Sequence, residues 1–489
     1  MRLAVLLLLT LPAVSLAQQI AIGEYVLPTN SSPYGITAGP DGAMWFTENY
    51  NAAIGRIAPS GAISVYSTVS TEPSAPYGIA AGPDGALWFA DYSGNAIGRI
   101  TTSGVVTEYP VPYPAPDPLP MGITAGPDGR MWFTLSIGSS AVIGAITTAG
   151  AFTIYSAPGN YTNSITTGSD GALWYTCPSC EIQRITTSGV YSYYNLPPQD
   201  AGLGAITAGP DGALWFTEST ANQIGRITTS GAITSYPVPT ANSGLMGITA
   251  GPDGALWFTE SAVKQIGRIT TSGTVTEYPI PAASYSLPDQ IAAGPDGTLW
   301  FTDSYARIGE IFFVTANLTV SPPSGYYTSH LTFAGSGYAP NERVRIYYQG
   351  VGSNVLASAT ADATGSFTAT AQAPQSPYGP RLFLGVGQSS GKVGAANFSM
   401  SPHLVLSPNS GPPGTIVTVE GYGFGSFEGV RVYWKGLAYL GLVVTNAAGT
   451  FNGSTAFTFT VPSDAQSGEN VVLGHVPTEA IGEGIFTVQ

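Results

Sequence analysis

Gly247-Ile-Thr-Ala-Gly-Pro-Asp-Gly-Ala-Leu-Trp-Phe-Thr-Glu260 is the stretch on which the reading of this chain turns. Two short strand-like runs flank Gly251-Pro252-Asp253-Gly254. In such a tetrapeptide Pro presets φ, Asp bonds its own backbone and Gly accepts a positive φ, so the spacing predicts a tight hairpin. Alternation along Ala255-Leu-Trp-Phe-Thr259 sends Trp257 to one packing face. Gln265-Ile-Gly-Arg-Ile269 reads as a third strand. Thr270-Thr-Ser-Gly273 then turns the chain into an outer strand, Val275-Thr-Glu-Tyr-Pro-Ile-Pro281. Proline suits that edge position, where a missing donor costs little.

The same unit recurs around Trp45, Trp88, Trp132, Trp174, Trp215, Trp257 and Trp300, at spacings of 43, 44, 42, 41, 42 and 43 residues. Four strands repeating at that period are one propeller blade, so residues 18–314 are expected to form a seven-bladed β-propeller. The seventh unit stops after Ile308-Gly-Glu-Ile311 and lacks an outer strand, whereas Gly23-Glu-Tyr-Val-Leu-Pro-Thr29 resembles Thr276-Glu-Tyr-Pro-Ile-Pro281. The N-terminal segment is therefore expected to complete the last blade and remove two open edges.

Composition agrees with an all-β chain. Gly (62) and Pro (39) are abundant among 489 residues and disfavour helix interiors, while 11% aromatic residues supply apolar area to bury. The length exceeds what one core supports. Beyond Val314 a second pattern begins: Ser321-Pro-Pro-Ser-Gly325 returns as Ser407-Pro-Asn-Ser-Gly411, and Val344-Arg-Ile-Tyr-Tyr348 as Val430-Arg-Val-Tyr-Trp434, each 86 residues later. Two Ig-like β-sandwiches are expected, over 315–401 and 402–489.

Arg2, the apolar run Leu3 to Val14 and Ser15-Leu16-Ala17 read as a signal peptide over 1–17, cleaved before Gln18. The mature chain is expected to be exported, to periplasm or medium, with no transmembrane segment. A net charge of −14 with only three lysines (Lys264, Lys392, Lys435) excludes a nucleic-acid partner. Cys177 and Cys180 sit in Cys-Pro-Ser-Cys. A small loop-closing disulfide suits an oxidising compartment; a redox pair, free thiols or a metal role are the alternatives.

Tyr-Gly-Ile-Thr-Ala-Gly-Pro-Asp-Gly-Ala-Leu-Trp-Phe-Thr-Glu and Gln-Ile-Gly-Arg-Ile resemble the repeats of the virginiamycin B lyase (streptogramin lyase) family, over roughly residues 20 to 312. The resemblance implies a magnesium-dependent elimination that opens the lactone ester of streptogramin B antibiotics. It also implies a His just before Gly-Ile in two neighbouring repeats, and a Glu at the end of the second strand. Here the pre-Gly-Ile positions read Tyr34, Tyr77, Met121, Asn163, Gly204, Met246 and Asp289, and the three histidines (His330, His403, His475) all lie beyond the repeats. The strand-end positions read Glu48, Asp91, Leu135, Cys177, Glu218, Glu260 and Asp303, of which five are acidic. The stretch from Pro408 to Phe424 resembles the start of IPT/TIG-type Ig-like domains, which serve as spacers or binding surfaces.

A ligand-binding funnel rim is therefore expected from Tyr34, Tyr77, Met121, Met246, Glu48, Asp91 and Glu218. Asp289 and Asp303, the only pair of carboxylates occupying both positions of one unit, are the metal candidates, for Mg2+ or Ca2+. With Glu260 they are also the catalytic candidates. The competing reading is that the strand-end carboxylates bond loop N–H groups. The recurring Arg56, Arg99, Arg184, Arg226 and Arg268 are expected to pack along the blade beside a carboxylate or carbonyl. The turn aspartates serve the turn. No His-Glu-x-x-His or P-loop occurs. The function expected is an exported propeller that binds a small molecule, glycan or protein at its face, without lyase activity because the His positions are empty of His. The alternatives are a magnesium-dependent C–O lyase acting on a cyclic depsipeptide lactone, and a metal-dependent lactonase. Gluconolactonase-like propellers, which use acidic metal ligands, are usually six-bladed.

Overall fold

The computed structural model describes residues 18–28, 31–59, 61–68, 74–113, 118–137, 140–156, 162–177, 181–196, 202–280, 287–348, 355–425, 427–434, 438–446, 448–476 and 481–489. The signal-peptide residues 1–17 lie outside them. Among the described residues no helix is long and apolar enough to cross a membrane.

Seven four-stranded antiparallel sheets follow one another. Blade 6 is typical: Leu245–Ala250 innermost, then Leu256–Glu260, Gln265–Ile269 and Val275–Pro279 outermost. The inner strands touch in the order of blades 1 to 7 and back to 1, closing a ring. Blade 7 takes its outer strand, Ile20–Val26, from the N-terminus, paired antiparallel with Arg307–Phe313. That strand begins three residues earlier than the Tyr25 alignment suggests, because Ile20 and Ile22 also find apolar neighbours on blade 6.

Six of the seven blades are cemented by one device, blade 7 carrying Glu310 in place of the arginine. The turn Asp accepts from its own blade's indole and guanidinium: Trp45 Nε1 donates to Asp41 at 3.0 Å and Arg56 Nε at 2.7 Å. The guanidinium lies 5.7 Å from the indole centroid, and the outer-strand Tyr66 stacks on the indole at 5.7 Å. These contacts hold Asp41, Asp84, Asp128, Asp170 and Asp211 below the ordinary carboxylate range, against a burial that raises them. Each Trp faces the following blade, as Trp88 does against Met131 and Phe133 of blade 3. The third-strand glycine leaves room for the Phe of the second strand; any side chain at Gly267 would collide with the Phe258 ring.

Two β-sandwiches follow. The first packs Asn317–Ser321, His330–Ser336 and Phe367–Gln372 against a five-stranded sheet containing Arg343–Tyr348 and Gly379–Gly387. Its core includes Phe333, Ile346 and Phe383. The second repeats this strand order, from His403–Ser407 to Ile481–Val488, around Val417, Trp434 and Phe486, but a parallel bridge between His403 and Glu483 joins its strands into one eight-stranded sheet. Phe312 of blade 7 packs with Tyr347, Leu382 and Leu384 of the first sandwich, which ties that module to the propeller wall.

Candidate functional site

A blade's two faces look at neighbouring blades, so only the inner strand presents residues to the axis. In six of the seven blades the register of that strand with the second slips just before the Gly-Ile pair, as between Pro33 and Ile36. The slip is a β-bulge, and it turns the pre-Gly residue towards the axis. An axial cavity of about 340 Å3 results, lined among others by Tyr34, Tyr77, Met121, Asn163, Met246 and Gln290. All four apolar and aromatic rim residues expected from sequence are present. Gln290 was missed, because it follows the position that carried the family comparison.

A threonine relay holds the bulges in place. Thr47 Oγ1 accepts from Gly35 N at 2.9 Å and donates to Tyr77 O of the next blade at 2.8 Å. Thr134, Thr176, Thr217 and Thr259 repeat the link. Thr302 donates to Tyr34 O at 2.7 Å, which joins blade 7 to blade 1. Only blade 2 lacks it, having Ala90 at that position. The recurring Thr before the strand-end acid is a readable signal of this relay that the repeat pattern carries and the turn and Trp overshadow.

The strand-end carboxylates do not line the cavity, which corrects the rim expected from Glu48, Asp91 and Glu218. These three, Glu260 and Asp303 are all at most 1% exposed. Second-strand side chains point at neighbouring blades, and their ends are roofed by loops. Asp91 accepts from Ala75 N and Gly94 N, both at 2.9 Å. Asp303 accepts from Leu287 N at 3.1 Å and Tyr305 N at 3.0 Å. Glu48 accepts from Asn51 Nδ2 and Glu218 from Ser235 Oγ, each at 2.9 Å. Loop capping is thus what Asp91 and Asp303 do.

Glu260 differs. Neither of its oxygens meets a donor in hydrogen-bonding geometry. Burial, then the neighbouring Glu277 carboxylate, push it up to about 8, with the Ser243 hydroxyl opposing. Asp289 is half-buried at the bulge of blade 7. Burial pushes it up to about 6; Gln290 and Ser304 oppose that rise, and the charge of Asp303 adds to it. Asp289 in turn raises the phenols of Tyr34 and Tyr77, whose larger cause is burial. Those two rings lie 4.0 Å apart between centroids, and Tyr92 packs 6.1 Å from Tyr77.

The residues present do not fit a divalent cation. Asp303 spends one oxygen on two backbone donors, and among the described residues no three His, Cys, Asp or Glu side chains come together. A hard cation needs several oxygen ligands. Cys177 is buried at the end of Leu173–Cys177, and as a thiol it is pushed up to about 12 by burial and by Glu181. Cys180 lies outside the described residues, and the bridge between the two rests on sequence alone.

The virginiamycin B lyase family model matches residues 14–163 and 158–322. A solved streptogramin B lyase is 39% identical, with a TM-score of 0.57 over 60% of this chain and 97% of that one. A catalytically inactive histidine-to-alanine variant of virginiamycin B lyase from Staphylococcus aureus, solved with quinupristin, is also 39% identical, with the same TM-score over 60% of this chain and all of that one. Virginiamycin B lyase of Saccharopolyspora erythraea is 46% identical over 48 residues, 10% of this chain and 16% of that protein's length.

Proposed function

The chain belongs to the virginiamycin B lyase family, and from that premise we propose that it is a binding member of the family without lyase activity. Its propeller takes a ligand in the axial cavity, and its two C-terminal sandwiches are IPT/TIG-like Ig-type modules that space or present it. The protein is exported to the periplasm or the medium.

One observation carries this reading: no histidine occurs between residues 18 and 314. In the S. aureus relative a single histidine-to-alanine change yields a protein described as catalytically inactive. This propeller lacks any imidazole to serve as the near-neutral base, wherever the alignment is drawn. The cavity is nevertheless formed, with aromatic, thioether and amide side chains converging on it.

A second reading is favoured by Asp289. A carboxylate pushed up to about 6 beside the cavity is a stronger base than an ordinary one, and Gln290 offers an amide donor. Together they suit proton removal next to an ester carbonyl.

Incubating the full mature chain with virginiamycin B and magnesium, then separating products with mass detection, decides between them. Elimination opens the ring without a mass change, whereas hydrolysis adds one water. No product beside an active control enzyme is expected. A ring-opened product lost in Asp289→Asn would overturn the binding reading and establish the second.

A further inference from the structure

The two ends of the propeller differ electrically. At the Gly-Pro-Asp-Gly end six arginines sit on six of the seven turn aspartates, each at 2.7 Å, while blade 7 sets Asp296 near the buried Glu310 in place of an arginine. Those six use all the basic residues of the described propeller except Lys264 and Arg307, and Arg307 pairs with Glu24 at 3.0 Å. The opposite end, where the second strands finish and the inner strands begin, holds Glu48, Asp91, Glu218, Asp303 and Asp289 against Lys264 and the Arg307–Glu24 pair. Glu48 Oε1 and Asp91 Oδ2 there are buried with no hydrogen-bond partner. An excess of acids over bases in a low-dielectric wall projects a negative potential into the nearest opening, and that opening is the axial cavity.

The mouth is also lopsided. Blades 1 and 2 contribute Tyr34 and Tyr77, backed by Tyr92, and blade 7 contributes Gln290 with Asp289 beside it. Blades 3 and 6 contribute Met121 and Met246. Aromatic faces, thioethers and one carboxylate are poor company for a bare metal ion and good company for a positive charge clothed in hydrocarbon.

We propose that the axial cavity selects an organic cation, an alkylated ammonium group seated against Tyr34 and Tyr77 with Asp289 as its counter-charge. This rests on the cavity being a binding site and adds the class of ligand. The acids behind the rim raise the local concentration of cations; Asp289 supplies the direct partner; Met121 and Met246 cover the alkyl groups. Glu260, pushed up to about 8, keeps its proton near neutral pH and adds little to the field.

Choline and its neutral isostere 3,3-dimethyl-1-butanol, titrated separately into the full chain by calorimetry and ligand-observed NMR, test the proposal. The cation is expected to bind about ten-fold or more tightly, with the preference falling as salt is added. Asp289→Asn should remove most of the preference and Tyr77→Leu should weaken choline binding. Asp362→Asn, on the first sandwich, should change neither. Equal binding of the two probes would overturn the charge selection while leaving the cavity a binding site. Binding of neither would overturn this proposal too; the virginiamycin assay and a screen of neutral ligands would then decide the binding reading independently.

Discussion

Replacing Glu260 by Gln should stabilise the protein, increasingly so as pH rises. The carboxyl is buried in blade 6, without a donor in hydrogen-bonding geometry and beside Glu277. Its pKa rises from 4.5 in the open chain to about 8 in the fold. A raised value means the folded state holds the proton more tightly than the unfolded state. The stabilisation is complete below 4.5 and is lost as pH climbs through about 8. At about 1.4 kcal/mol per pH unit over that window, the full loss amounts to as much as ~5 kcal/mol. Gln keeps the shape and cannot ionise. Seven of the eight tryptophans lie in the repeats, so their fluorescence reports propeller unfolding. Urea unfolding at about pH 5 and about pH 9 should show wild type and Glu260→Gln nearly equal in acid, with the variant ahead by a few kcal/mol in base. Glu24 and Glu310, also raised by burial, tilt both proteins alike, so the difference isolates Glu260. A variant that is less stable throughout, or one that keeps the wild-type pH slope, would refute the assignment of a buried protonated Glu260.

Three other outcomes are expected. Thr302→Val removes the hydroxyl that joins blade 7 to blade 1 and leaves Tyr34 O and Gln290 N without it; a loss of about 1–3 kcal/mol should appear in urea unfolding. Tyr25→Phe strips the buried Glu310 of its 2.7 Å phenol donor, so the N-terminal latch should loosen by a similar ~1–3 kcal/mol, with earlier hydrogen exchange along Ile20–Val26. In a Cys180→Ser variant the native Cys177, buried with its thiol pushed up to about 12, should resist a disulfide reagent. Unreduced wild type, unfolded in guanidinium, should show no thiol if the Cys177–Cys180 bridge expected from the sequence forms, and two if it does not.

The repeat makes the architecture legible in the chain itself. A Trp every 41 to 44 residues with a Gly-Pro-Asp-Gly turn ahead of it encodes a blade locally, since turn chemistry and alternation act within a dozen residues. The missing outer strand of unit seven and its copy at Tyr25 encode the ring closure, because identical surroundings demand identical residues; Tyr25 stacks on Trp300 at 5.4 Å as Tyr278 does on Trp257 at 5.5 Å. Tyr34, Tyr77, Met121 and Met246 on the inner strands are equally readable, because the bulges of their blades turn the same position towards the axis, whereas in blade 7 Gln290 lines the cavity in place of Asp289. The strand-end acids are misplaced for the opposite reason. Sequence places Glu48 beside the start of its inner strand, but whether it faces the channel or the next blade depends on how seven sheets are set around the axis.

Length, period, turn chemistry and the absence of histidine from the repeats come from the sequence by itself, and with them the all-β propeller and the case against imidazole catalysis. Tertiary structure alone decided the partners of the polar groups. Glu310 occupies the position where five other blades carry Arg, and its role became visible only when the N-terminal strand brought Tyr25 onto it. Arg130 lies two residues after the turn Asp of blade 3, yet it takes over the ion pair that Ala145 cannot make. Charge balance in a closed ring is a property of which side chains meet across blades, and hundreds of residues of chain separate some of them.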